Sequence, residues 1–366
     1  MRLWMIVAER PMIWMQLVVF LLVVVHQCNG SQSPRRRLDP ILDASPESYR
    51  RTTQIIREAR ASSPSLHPLY SNQSIRRWAV HLEAPPIWIC QKQNPTQTDC
   101  QDLVTQQQEE MLLELGQILP SMTVADKVQH ILNVVFVDLP EDEEIPSNLP
   151  GVKHASPEEV YTVSQVQPVV LEQFGATFAH DYCLTGKGVK VGIVDTGVDY
   201  THKALGGNGT KEAYIQAFGT SSNSSANKSP DGLFPTAKVV EGKDFIGEND
   251  KNYTEDDDPI DSNGHGTAVA SAILAVAPDV TLVAAKACIA AVPEAICPES
   301  ALLKGIQFML DPDQNGSLDN KADIINLSLT SAYSRPYYDR TAFALENAAQ
   351  LGILSVTSFG NFGNIP

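Results

Sequence analysis

Four short apolar runs, at residues 189–195, 281–287, 322–329 and 353–357, are separated by helix-length segments at 266–277, 300–310 and 339–351. The first run, Val189-Lys190-Val191-Gly192-Ile193-Val194-Asp195, is nearly continuous in its hydrophobicity, which suits a strand buried on both faces of a parallel sheet. The segment 266–277 is so rich in Ala and Val that the helix it predicts must pack closely on several sides. Asp339 is placed to cap the last helix and Gly352 to end it. Strand and helix in turn predict an α/β fold with a doubly wound, mostly parallel sheet. In such a sheet, ligands bind outside the carboxyl ends of the strands.

The first half of the chain reads differently. Arg2 and Arg10 precede the apolar run 17–25, and the small residues Cys28, Gly30 and Ser31 follow, which is the layout of a secretory signal peptide over 1–30. The stretch 11–25 contains Gln16 and is shorter than the roughly 20 apolar residues of a membrane span, so no stable membrane anchor is expected. Residues 31–75 are polar, without a sustained apolar period, and read as a linker or pro-segment. A small α+β unit follows over 76–165: Trp78-Ala79-Val80-His81-Leu82 alternates like a strand, 102–119 has helical spacing, and 130–139 is a second strand candidate. The larger pattern occupies 166–366.

The net charge of −16 is unevenly spread, −5 up to residue 165 and −11 beyond it. With no basic run longer than Arg35-Arg36-Arg37, nucleic-acid binding is excluded. The acidic stretch 248–261 and the Ser/Asn stretch 221–229 read as surface insertions, with Asp256-Asp257-Asp258 a charged surface loop. N-x-S/T sequons at Asn72, Asn208, Asn223, Asn227, Asn252 and Asn315 fit a secreted glycoprotein, whereas Asn326 sits inside an apolar run that leaves no room for a glycan. Removal of Cys28 with the signal leaves five cysteines. Cys90 with Cys100 and Cys288 with Cys297 are spaced for local bridges, and at least one cysteine is then free, pairs between chains or lacks its partner.

Polar residues close three of the buried strands: Asp195-Thr196-Gly197, Asn326-Leu327-Ser328-Leu329 and Ser358-Phe359-Gly360-Asn361. Between the first two lies Asn263-Gly264-His265-Gly266-Thr267, a histidine at the start of the tightly packed helix. Each alone is a weak signal, since an Asp after a strand is commonly a turn former. Together they supply a carboxylate to orient an imidazole, the imidazole as general base, and a side-chain amide as oxyanion donor, a set that serves acyl transfer. An aspartic-protease reading of Asp195-Thr196-Gly197 needs a second Asp-Thr/Ser-Gly, and the sequence has none.

The runs 191–202, Gly264-His265-Gly266-Thr267-Ala268-Val269-Ala270, Ile324-Ile325-Asn326-Leu327-Ser328-Leu329 and Gly360-Asn361, in this order, resemble the subtilisin-like serine proteases. The resemblance implies Asp195 as triad acid, His265 as general base, Asn361 as oxyanion-hole amide, and Ser328, Leu329, Thr330 and Gly360 along the edge that pairs substrate backbone. It implies protein or peptide substrates, no cofactor for catalysis, and an inhibitory propeptide over 76–165 that blocks the cleft and is removed between Thr162 and Gly186. Thr330 and Phe359 stand where the family has small residues, which adds bulk near the primary specificity pocket. Ala268 replaces a common histidine.

The family's nucleophile lies in a Gly-Thr-Ser-Met-Ala stretch, and nothing of that form follows His265 in these 366 residues. The expectation is a secreted zymogen whose chain continues past Pro366 to its serine, this portion being inactive alone. The competing expectation is a catalytically inert secreted binding or inhibitory protein. Related subtilases also carry an Asp-rich insertion before the third strand. Here Asp311, Asp313, Asn315 and Asp319 begin like a calcium loop, with Ala322 where an EF-hand has Glu, so a structural calcium site of another kind and a solvated acidic turn are the two readings.

Overall fold

The computed structural model describes residues 75–96, 98–146, 148–163, 175–220, 224–228, 232–247, 254–289, 295–331 and 339–358. The signal and linker segments, the sequons at Asn72, Asn223 and Asn252, and Phe359, Gly360 and Asn361 lie outside these residues.

The first unit is a four-stranded antiparallel sheet of β1 (Ile75–Leu82), β2 (Thr123–Val128), β3 (Val134–Pro140) and β4 (Val152–Pro157), in the order β2-β3-β1-β4. Helix α1 (Ile87–Gln93) is tied by the Cys90–Cys100 disulfide to α2 (Cys100–Ile118). Trp78, Val80 and Leu82 share a core with Met111 and Leu115 of α2. Ala79, Val134 and Phe136, on the other face, belong to a core that continues into the second unit. Residues 78–82 are therefore all buried, His81 included at 5% exposure, where alternation alone would leave one face in water. The polar strand β2 has no apolar period and escapes sequence reading; the run 130–139 becomes a strand only from Val134.

The second unit carries β6 (Lys190–Asp195), β7 (Val239–Asp244), β8 (Thr281–Lys286), β10 (Ile324–Leu327) and β12 (Leu354–Thr357) in one parallel sheet, ordered β12-β10-β6-β8-β7. Helix α5 (His265–Val276) covers one face, where Val269, Ala270 and Ile273 meet Val191, Ile193 and Leu282. On the other face, α6 (Glu299–Phe308) and α7 (Arg340–Gln350) set Leu302, Ile306 and Ala344 among Val194, Val283 and Ile325. This is the doubly wound α/β arrangement. Asp339 caps α7 as expected, accepting from Ala342 N at 3.0 Å. Two shorter helices are α3 (Ala176–Asp181) and α4 (Lys211–Phe218), the latter setting Ala217 in the same core as Val269 and Ile273.

Strand order reverses at β6. From β8 on one side of it the chain passes to β10 on the other, so the crevice of the switch point opens at the carboxyl end of β6, where Asp195 stands. The predicted strand 322–329 is in fact two: β10 ends at Leu327, and β11 (Leu329–Thr330) leaves the parallel sheet for a small antiparallel one. There, β5 (Val160–Val163) is the central strand between β11 and β9 (Ile296–Pro298). The Cys288–Cys297 bridge holds β9 to the end of β8, and Cys183 is free and exposed.

Candidate active site

Asp195 is fully buried at the last position of β6. Its Oδ1 accepts from Thr196 N at 2.7 Å and faces His265 Nδ1 at 2.7 Å. Among the described residues, Oδ2 has no hydrogen-bond partner. With the imidazole proton on Nδ1, donated to the carboxylate, Nε2 keeps its lone pair and is the basic nitrogen; an ionised Asp195 stabilises the imidazolium that forms when it takes a proton.

Backbone geometry brings these residues together across seventy positions. Gly264 adopts φ 100° at the N-cap of α5, a left-handed conformation that suits glycine, and His265 is the first helical residue. Gly266 N donates to Thr196 Oγ1 at 2.9 Å, and a Cβ on Gly266 would stand 2.1 Å from the Gly197 carbonyl oxygen. The Asp-Thr-Gly and His-Gly-Thr segments thus touch main chain to main chain.

Asp261 completes the lock and was not legible as a site residue. Its Oδ1 accepts from Asn263 N at 2.8 Å and Gly264 N at 2.9 Å, while Oδ2 accepts from Thr267 N at 3.0 Å and Thr267 Oγ1 at 2.6 Å. Burial pushes its carboxyl pKa up against the pull of these four donors. The reading of 248–261 as a surface insertion is therefore corrected at its carboxyl end. Asp261 is 2% exposed and Asp258 is fully buried, accepting from Tyr200 Oη at 3.0 Å. The signal available was the spacing Asp-x-x-Gly before a helix start, an Asx-type cap.

Of the residues expected along the substrate edge, Leu329 and Thr330 lie in a paired strand and Ser328 does not. Leu329 pairs with Val163 and Thr330 with Thr162, whereas Ser328 is 1% exposed, and its Oγ accepts from Asn326 Nδ2 at 3.0 Å. Ser328 thus belongs to the turn out of the parallel sheet, and Leu329 and Thr330 form the paired edge. Ser358 Oγ donates to the Leu329 carbonyl at 2.7 Å, which ties the end of β12 to that edge. Gly360 and Asn361 follow beyond the described residues.

In the acidic turn, Asp311 accepts from Asn315 N at 3.0 Å and Gly316 N at 2.9 Å, and Asp313 accepts from Asn315 Nδ2 at 2.9 Å. Asp319 N donates to Ser317 Oγ at 3.1 Å. The carboxylates serve the loop's own donors, and no cluster of three or more metal-ligating side chains stands among the described residues. Of the sequons, Asn208 and Asn315 are exposed. Asn227 is 2% exposed and is corrected as a glycan acceptor.

A doubly wound sheet thus presents a buried carboxylate from its switch-point strand to the imidazole that opens a packed helix, which defines an α/β protein with a carboxylate–imidazole pair at the switch point. Residues 186–365 match the family described as the subtilase family, and this part of the chain is a subtilase domain, similar to those of the subtilisin-like serine proteases. It is 32% identical over 197 residues to the minor extracellular protease Vpr of Bacillus subtilis (strain 168), covering 52% of this chain and 20% of that protein. It is 27% identical over 243 residues to a PII-type proteinase of Lacticaseibacillus paracasei, covering 63% of this chain and 12% of the relative. The chain therefore spans a fifth or less of the length of these curated relatives. The crystal structure of fervidolysin from Fervidobacterium pennivorans, titled a keratinolytic enzyme related to subtilisin, has a TM-score of 0.46 at 15% identity, covering 78% of this chain and 40% of that one. Among the described residues, no helix is long and apolar enough to cross a membrane.

Proposed function

We propose that this chain is part of a secreted serine endopeptidase zymogen that hydrolyses peptide bonds, with His265 as general base and Asp195 orienting it. The observation that carries the reading is the 2.7 Å contact of His265 Nδ1 with a carboxylate wholly removed from water. A carboxylate oxygen held on Nδ1 fixes the ring's orientation and tautomer and leaves Nε2 as the basic nitrogen, which is the arrangement a general base requires. Asn361, as oxyanion donor, remains part of the proposal.

Residues 76–165 act as an intramolecular inhibitor. Supporting this, β5 lies in the slot between β9 and β11, pairing with both by main-chain hydrogen bonds, and β11 carries Leu329 and Thr330 of the edge along which the resemblance places substrate. The first unit also shares a hydrophobic core with the second and is held to it by the Lys304–Asp126 ion pair.

The test is labelling of the full-length gene product with a serine-directed fluorophosphonate, followed by peptide mapping and an assay on unfolded protein substrate. Labelling of one serine, lost in His265→Ala, together with hydrolysis, is expected. A folded, processed protein with neither labelling nor hydrolysis overturns the reading in favour of an inert binding protein.

A further inference from the structure

The segment leading into β5 ends in a buried polar cluster that the acid–base pair does not use. Glu158 is 4% exposed, and its Oε1 accepts from Ser300 N at 2.8 Å in the first turn of α6. That helix has Pro298 as its N-cap and no side-chain cap of its own, so a carboxylate from elsewhere satisfies an amide that a capping residue would ordinarily serve. Ser300 is fully buried, and among the described residues its hydroxyl has no hydrogen-bond partner, a second donor left at the same place. Alongside, Arg340 is gripped by Glu299 at 3.0 and 2.7 Å and turns Nη1 to Ser156 Oγ at 2.9 Å. The main chain is read too, since Glu299 N donates to the Glu159 carbonyl at 3.0 Å. β5 starts at the next residue, with Val160 opposite Pro298.

We propose that the N-terminus of α6, with the Ser300 amide and hydroxyl, is a substrate subsite for a carboxylate. It would select extended peptides carrying Glu two residues before the first residue that pairs with β9. The inference rests on the peptidase reading above and adds a substrate class to it: Glu158 occupies the position that the acidic side chain of a substrate takes when another chain fills the slot. A helix N-terminus attracts a negative charge through its free amides and aligned dipoles. A neutral amide side chain of the same length keeps the shape and loses the charge-assisted bond.

The experiment uses the processed full-length protein and two reporter peptides of the sequence 156–163, one with Glu and one with Gln at the position of 158. The Glu peptide is expected to show kcat/KM about tenfold higher, carried by KM, as one charged hydrogen bond allows. In Ser300→Pro, which removes the amide where the first helical turn tolerates proline, the ratio of kcat/KM for the Glu peptide to that for the Gln peptide is expected to fall to about one. Equal cleavage of both peptides by the unaltered protein overturns the subsite and leaves the peptidase reading intact. Cleavage of neither overturns the peptidase reading, and the carboxylate site is then decided by hydrogen exchange in the intact chain. There Glu158→Gln is expected to speed exchange of the 160–163 amides about tenfold, without change in α5. Unchanged exchange removes the carboxylate site as well.

Discussion

Lys286 Nζ lies 3.2 Å from Asp244 Oδ2, with both side chains 1% exposed. In register, Lys286 stands between Asp244 on β7 and Asp195 on β6, so the carboxyl edge of the sheet reads acid, cation, acid. Burial pulls the Lys286 pKa down, and the neighbouring Asp244 carboxylate opposes it. Asp244 Oδ1 also accepts from Ile246 N at 2.8 Å and Gly247 N at 2.7 Å.

Asp244→Asn keeps an acceptor for those two amides and strips the charge from the lysine's partner. A loss of about 3–5 kcal/mol is expected from urea unfolding, because the ammonium remains buried. Adding Lys286→Met to Asp244→Asn removes that charge, and the double variant should recover most of the loss. A single-variant loss below about 1 kcal/mol, the size of an exposed pair, would contradict this account.

Asp195→Asn should leave the fold in place and reduce turnover by about 10⁴, since an amide presents the wrong hydrogen-bonding group to His265 Nδ1 and favours the wrong tautomer. Steady-state kinetics on the processed protein, with circular dichroism as the folding control, measures it. A tenfold effect or less would mean that the 2.7 Å contact is only structural.

Two glycines give opposite expectations. Gly266→Ala meets the Gly197 carbonyl at 2.1 Å, main chain that cannot yield, and should displace His265 and abolish activity while lowering the melting temperature. Gly192→Ala meets Met309 Sδ at 2.4 Å, a flexible thioether, and should cost about 1–2 kcal/mol with the active site unaffected. Thermal melts and activity of the two variants separate these cases.

His81, on β1 against Phe343 of α7, carries a pH dependence. Burial, with Lys153, Arg340 and His154 adding repulsion, lowers its pKa from 6.5 to about 3. The folded chain holds the neutral ring, so this contribution to stability is whole above pH 6.5 and is lost as the pH falls from there towards 3. Roughly 2 kcal/mol is gone by pH 5. The urea midpoint should fall between pH 7 and pH 5, and His81→Gln should flatten that slope; an unchanged slope would assign the acid sensitivity to other groups.

How far the sequence could be read varies with the range of the interaction. The run 189–195, the helix at His265 and the strand at 353–357 were legible because each is a local hydrophobic pattern with its own punctuation. Strand β2 was not, since only Val128 among its residues is buried and its pairing with β3 makes it a strand. Asp258 and Asp261 looked like surface charge because composition gives no hint of the hydroxyls and amides waiting for them. Ser328 looked like part of a continuous strand because the turn out of the sheet is made by the Asn326 side chain, a contact between two residues of one polar motif.

By itself, then, the sequence determined the alternation of strand and helix, and it singled out two cysteine pairs spaced for local bridges and the carboxylate and imidazole that the fold brings together. Periodicity and residue type are properties of neighbouring positions, and they survive without any fold. Only the tertiary structure decided that β6 is the switch point, that Asp261 holds the histidine turn, and that β5 closes the slot between β9 and β11 with Glu158 on the α6 amide. The pairing of β5 and the Glu158 contact join residues well over a hundred positions apart, and the Asp261 contacts, though local, form only once the turn is folded and buried. They exist because burial leaves each polar group to find a partner wherever the packed chain brings one.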